Sequence, residues 1–271
     1  MNVTRRDLLK MGMGAAVLGM TGLKAQAAFK DIPLCLQMYT VGGPFRENPE
    51  KVMAEVAAMG YKGVEYAGYP VKPEELRKLQ DKYGLFCTGT HTGRGQIEDL
   101  EQLKRTIEIH QILGAKFIIC PGMQNDGEKG WTEAAKKFSA ASAVAQEAGL
   151  WVGYHAHRHD FNKVEGGRST WEVFADESVP EVVLQNDLGH CVNSGNDPYT
   201  LIKKYPNRSK TIHLKESDNK IMGEGKVDWK LAWELCESVG GVVTYTVEYE
   251  GGMDRMEAAK KSAEAFYRLH K

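Results

Sequence analysis

The sequence predicts a single parallel (β/α)8 barrel, and three observations carry that expectation. Eight short apolar runs rich in β-forming residues follow one another, segments of helical period separate them, and 271 residues is a length at which one such barrel forms. No linker, internal repeat or low-complexity stretch argues for a second domain, so the barrel is expected over residues 28–271.

The elements read in order. LCLQMYT (34–40) is the first strand, and PEKVMAEVAAMG (49–60) is a helix with Pro near its start and Gly at its end. GVEYA (63–67) and LFCTGTH (85–91) are the second and third strands, followed by the helical DLEQLKRTIEIHQILG (99–114). FIICP (117–121) leads into the helical WTEAAKKFSAASAVAQEAG (131–149) and then LWVGYHAH (150–157). VVLQND (182–187), TIHLK (211–215) and VTYTVEYE (243–250) complete the eight.

Residues 1–27 stand apart from the fold. Paired Arg5 and Arg6, a Gly/Ala/Met/Leu run too short and glycine-rich to span a bilayer, and the small-residue end Ala25-Gln26-Ala27 read as a twin-arginine export signal. The expected partner is the twin-arginine export machinery, the expected location is the periplasm or another exported compartment, and the mature form is expected off the membrane. Without that segment the chain loses four basic residues and one acidic one, leaving 31 Lys+Arg against 35 Asp+Glu, a formal net charge of −4. Such a balance gives no reason to expect nucleic acid as a partner. The cysteines Cys35, Cys87, Cys120, Cys191 and Cys236 are odd in number, lie mostly in apolar runs and include no CxxC pair, so they read as buried free thiols.

In a barrel of this kind, chemistry collects at the C-terminal ends of the strands. Those ends hold Gln37 and Tyr39, Glu65, His91, His155 and His157, Asp187 and His190, His213 and Lys215, and Glu248 with Glu250. YHAHRHDF (154–161) alone carries three of the chain's eight histidines. Residues two apart share one face of a strand, so these sets converge on one cavity. Imidazoles and carboxylates without thiolate make a divalent-metal site that suits Mn, Zn, Co, Fe or Mg. His159, past the strand end, is expected to be exposed. Polar groups at Glu65 and His91 could simply be wetted, and Lys215 could be tied up in an ion pair with Glu248 or Glu216.

VGYHAHRHDF, QNDLGHCVNSGNDP, TIHLKE, GEGKVDW and VEYE, in that order, resemble the sugar phosphate isomerase/epimerase family, the xylose isomerase-like TIM barrels. The resemblance covers nearly all of the mature chain. It implies that one side chain from each of strands five to eight holds the metal, which places His155, Asp187, His213 and Glu248 as ligands, with His157 the alternative to His155 on strand five. Many members carry Glu where this chain has His155. It also implies Glu248 as the proton-abstracting base, Lys215 as an electrostatic aid or proton donor, and His190 as a substrate contact with a catalytic part. His157, Glu65, His91 and Tyr39 complete the expected substrate contacts, and GEGKVDW is a substrate-side loop in which Trp229 anchors a helix start.

The function expected from this is a divalent-metal-dependent sugar isomerase or epimerase that removes the proton next to a carbonyl. Because a metal-bound His155 cannot serve as the second of two bases, a lyase or hydratase acting on keto-sugars or 3-keto-glycosides is the alternative. Phosphodiester hydrolysis would want a basic groove, which the net charge does not offer. A non-catalytic periplasmic sugar-binding protein is the alternative of another class, and a homo-oligomer stays open. The substrate is expected to be an unphosphorylated sugar or glycoside, since nothing in the cavity set supplies an Arg cluster or a glycine-rich phosphate loop.

Overall fold

The structure, a computed structural model, describes residues 29–124, 127–164 and 166–271; the export signal expected over 1–27 lies outside the described residues. Eight parallel strands follow the expected order: β1 (Leu34–Gln37), β2 (Gly63–Tyr66), β3 (Phe86–His91), β4 (Phe117–Cys120), β5 (Trp151–His155), β6 (Val183–Gln185), β7 (Thr211–Leu214) and β8 (Thr244–Val247). The outer layer is α1 (Gly42–Glu47), α2 (Pro49–Ala58), α3 (Pro73–Tyr83), α4 (Arg94–Glu98), α5 (Leu100–Leu113), α6 (Gly127–Glu147), α7 (Thr170–Glu177), α8 (Leu188–Asn193), α9 (Pro198–Lys204), α10 (Trp229–Leu235) and α11 (Arg255–Leu269). Among the described residues no helix is long and apolar enough to cross a membrane. All five cysteines are free and buried, as expected.

Local chemistry sets the boundaries. The Asp99 carboxylate accepts from the backbone N–H groups of Glu101 and Gln102 to start α5, and Gly114 ends that helix in the left-handed region at φ 68°. Each strand is shorter than the run the sequence suggests, and at two of them the early end bears on the site. β5 stops at His155 because Asp160, at the end of the next turn, accepts from the His157 backbone N–H and the Tyr154 hydroxyl, both at 2.8 Å, and curls the chain away. β8 stops at Val247, so Glu248 and Glu250 stand on the loop above it.

Strand ladders run β6-β5-β4-β3-β2-β1-β8-β7. The remaining gap is spanned by one isolated parallel bridge, Asp187 with His213, where the His213 N–H donates to the Asn186 carbonyl at 2.9 Å. Closure of the barrel therefore falls on two of the expected metal ligands.

Most of the apolar core lies between strands and helices, around Trp171, Phe174 and Tyr154 on one side and Trp233, Tyr245 and Phe266 on the other. Inside the barrel, Phe117, Ile119 and Val183 form a small apolar cluster. The rest of the interior includes buried polar side chains, Gln37, Glu65, Gln185, Thr211 and Thr246 among them.

Gly153 sits two residues below His155 on the same strand face. A Cβ there would lie 2.7 Å from the Ile119 Cδ1 and 2.7 Å from the Val183 carbonyl oxygen, so only glycine lets that apolar cluster fill the layer beneath His155. Gly153→Ala should cost about 1–3 kcal/mol in denaturant unfolding, the range for overpacking a filled interior. An unchanged midpoint would show that the layer can relax.

Candidate metal centre

The C-terminal ends of four strands, or the residues just past them, bring one donor each to a single point. His155, Asp187, His213 and Glu248 are all buried, and one ligand atom from each lies within 4.8 Å of the others. His155 is the last residue of β5, and its neighbour across the ladder is Gln185. Asp187 is the N-cap of α8: its Oδ1 accepts from the His190 backbone N–H at 2.7 Å, which leaves Oδ2 buried without a hydrogen-bond partner. That orphaned oxygen lies 4.0 Å from His213 Nδ1, which is 3.1 Å from Glu248 Oε2, and Glu248 Oε2 is 4.0 Å from His155 Nε2. Donors around one ion at about 2.0–2.3 Å stand roughly 3–4.5 Å apart, so these residues fit a divalent cation with small side-chain adjustments.

The ligands rest on a polar layer fixed by Glu65. This carboxylate has no exposed surface and accepts from Gln37 Nε2 at 2.7 Å, Gln185 Nε2 at 2.7 Å and His213 Nε2 at 2.8 Å, with His91 Nε2 at 2.9 Å. A carboxylate behind a metal-facing imidazole fixes its ring and tautomer so that the other nitrogen points at the ion. Glu65, expected among the substrate contacts, is thus corrected to a supporting position beneath them, because four side chains enclose it.

Charges in the layer follow from these contacts. Burial works against charge on His213, but Glu65 and Glu248 outweigh it and push the imidazole up to about 10. Burial, together with the neighbouring His213 and His91, holds His155 well below its ordinary value, so its lone pair is available to a cation. Despite burial, His213 and His91 keep Glu65 below the carboxylate range, and Lys215 and His213 do the same for Glu248.

Above the ligands lies an open cavity of about 470 Å³ lined by Tyr39, Gly68, His91, His157, Glu248 and Glu250 among others. Its size is that of a small-molecule site. His157 stands over His155, with ring centroids 4.8 Å apart, and burial followed by the charge of His190 lowers it to about 4. Lys215, nearly fully buried, has its Nζ 2.6 Å from Glu250, 3.2 Å from Glu248 and 3.7 Å from Asp187, with His190 Nε2 at 3.0 Å. Burial opposes its charge, and those three carboxylates more than restore it. His159 is exposed, as expected.

Sequence reasoning missed two residues. Gln185 stands two positions before Asp187 in a buried run, and an amide there signals a buried partner, which is Glu65. Glu216, offered as an ion-pair partner for Lys215, instead turns to the GEGKVDW segment and accepts from the backbone N–H groups of Gly223 and Val227 and from Trp229 Nε1. This is what makes Trp229 the anchor at the start of α10.

Replacing Glu65 with Gln should lower zinc affinity about 10–100-fold in a chelator competition, the usual cost of losing a carboxylate behind a ligating histidine. Equal affinity in the variant would mean that His213 is oriented without it.

Comparison with known proteins agrees with this fold. Over 238 residues the chain is 29% identical to an inosose dehydratase of Clostridium beijerinckii, spanning 77% of this chain and 76% of that one. A sugar phosphate isomerase/epimerase structure from Parabacteroides distasonis superposes with a TM-score of 0.80 at 24% identity, over 90% of this chain and 96% of the other. The IolI protein, crystallised with a bound zinc atom, superposes with a TM-score of 0.69 at 13% identity, over 88% and 98%. Both structural likenesses speak for the fold. The Xylose isomerase-like TIM barrel description matches residues 53–269, most of the eight-stranded domain, and the chain belongs to that family.

Proposed function

We propose that this protein is a divalent-metal-dependent lyase acting on a sugar derivative that carries a ketone. The observation that carries the reading is the asymmetry of the site. Glu248 lines the cavity from β8, while the β5 position that could supply a second base from another side is the ligand His155. The other cavity carboxylate, Glu250, stands two residues from Glu248 and is engaged by Lys215 at 2.6 Å. Reversible epimerisation with two bases wants them on opposite faces of the substrate, and this site offers its carboxylates from one.

His155, Asp187, His213 and Glu248 would hold the cation. When bound, it polarises the substrate carbonyl and makes the adjoining C–H bond more acidic. Glu248, kept ionised by Lys215 and His213, takes that proton. The electron pair of the broken C–H bond becomes a C=C bond as the C–O bond on the next carbon breaks. The departing oxygen takes a proton from Lys215 or from His190, 3.0 Å apart, and the products are an unsaturated ketone and a free hydroxyl compound, or water. His157 and His91 are placed to contact substrate hydroxyls, and Tyr39 stands at the rim.

The dehydratase name of the Clostridium relative supports elimination over isomerisation, reversing the order in which the sequence ranks them. The likeness to an isomerase/epimerase structure keeps isomerisation as the second reading. An exported location, as residues 1–27 suggest, would present the enzyme with glycosides rather than phosphorylated sugars.

Metal-loaded protein incubated with 3-keto-glycosides in deuterated water should release the leaving group and form an absorbing enone. Glu248→Gln should cut turnover about 10²–10⁴-fold, the contribution of a positioned base, since an amide oxygen accepts no proton at neutral pH. Lys215→Ala should slow the reaction by about 2–4 kcal/mol of barrier while exchange continues. Deuterium incorporation without any release would establish an isomerase instead, and normal turnover in Glu248→Gln would remove the base assignment.

A further inference from the structure

The central cavity does not end at the ring of histidines. A second cleft of about 130 Å³ adjoins it and shares three wall residues with it, Tyr39, Ala67 and Gly68. Its character differs from the metal side. Tyr39 and Tyr69 present large exposed surfaces, 53% and 38%, on loops that follow β1 and β2. Tyr69 is held from behind: its ring meets Tyr66 edge-on at 6.2 Å, and Tyr66 stacks on Phe45 at 6.0 Å. Arg46 adds its guanidinium at the edge, close to Gly42, and among the described residues it has no carboxylate within ion-pair distance. At Gly68, a wall residue of both cavities, a Cβ would meet nothing within 4 Å.

Rigid aromatic faces with one polar fork suit a ligand that is apolar on one face and carries hydroxyls at its edge. The geometry points to a binding subsite for a second, uncharged sugar ring, so that the preferred substrate is a keto-sugar joined to another sugar unit rather than a free monosaccharide. Here the inference rests on the lyase reading only for the word "keto"; the cleft itself would bind the second ring whatever chemistry follows. A ring seated against Tyr39 and Tyr69 leaves its partner ring in the central cavity over His157, His91 and Glu248. The second ring adds contact area without touching the ligands, which makes it an affinity determinant more than a rate determinant.

Two measurements test this. Binding of cellobiose and of methyl β-glucoside, neither oxidised, is measured on the metal-loaded protein by saturation-transfer NMR and calorimetry. The disaccharide should bind about tenfold tighter, roughly the worth of one well-placed aromatic contact. Tyr69→Ala should remove that preference while leaving methyl glucoside binding unchanged. Arg46→Ala, at an exposed helix position where folding is not at stake, should weaken the disaccharide alone. In parallel, kcat/KM for the 3-keto disaccharide should exceed that for methyl 3-keto-glucoside through KM, and the excess should vanish in Tyr69→Ala. Equal binding of the two sugars by the unaltered protein, or a preference untouched by both substitutions, overturns the subsite. If the binding preference appears but neither keto compound is turned over, the subsite stands and the lyase reading falls.

Discussion

A carboxylate with no contact to solvent sits in the middle of this barrel, and the site above depends on it. Glu65 is sealed by Gln37, Gln185, His91 and His213, and its charge persists because each partner offers it an N–H. Burying an unpaired carboxylate is prohibitive, whereas one that accepts several N–H hydrogen bonds is tolerated and rigid. This pairing fixes His213 from below, and so decides which of its nitrogens meets the cation. It also ties β1, β2, β3, β6 and β7 together through polar side chains, apart from the apolar cluster of Phe117, Ile119 and Val183.

Barrel closure and the candidate metal centre share residues. β6 is only three residues long and has no ladder to β7; the chain is brought round by Asp187 and His213, whose bridge also sets two donors side by side. Asp187 caps α8 with one oxygen and leaves the other buried at the candidate centre, so a member of the candidate ligand set positions the helix that carries His190. Lys215, two residues on from His213, is then drawn among three carboxylates next to His190. His155, Asp187, His213, Glu248, Lys215 and His190 are thereby placed by a few backbone positions at strand ends, where this architecture concentrates chemistry.

Much of this was legible in the sequence because period and strand-end chemistry speak plainly. Eight β-forming runs marked all eight strands, period-2 alternation gathered the polar strand ends on one cavity, and the family resemblance singled out His155, Asp187, His213 and Glu248 among them. Less legible was what lies one layer down. Glu65 reads as one more polar strand end, and nothing local says that it faces inward to four partners; that depends on Gln185, 120 residues away. Glu216 reads as a charge next to Lys215, yet alternation along β7 turns it to the opposite side, where it organises the loop before Trp229. The ends of β5 and β8 were overestimated because the strand pattern continues into turns held by side chains such as Asp160.

The account stands or falls on where a cation binds. Crystals of the protein loaded with zinc or manganese, with diffraction measured at the metal's absorption edge, locate it directly. The account predicts one anomalous peak within about 2.0–2.3 Å of donors from His155, Asp187, His213 and Glu248, with Glu65 still bonded to His213 behind it. A peak held instead by His91, His155 and His213, or by His155, His157 and His190, would contradict it.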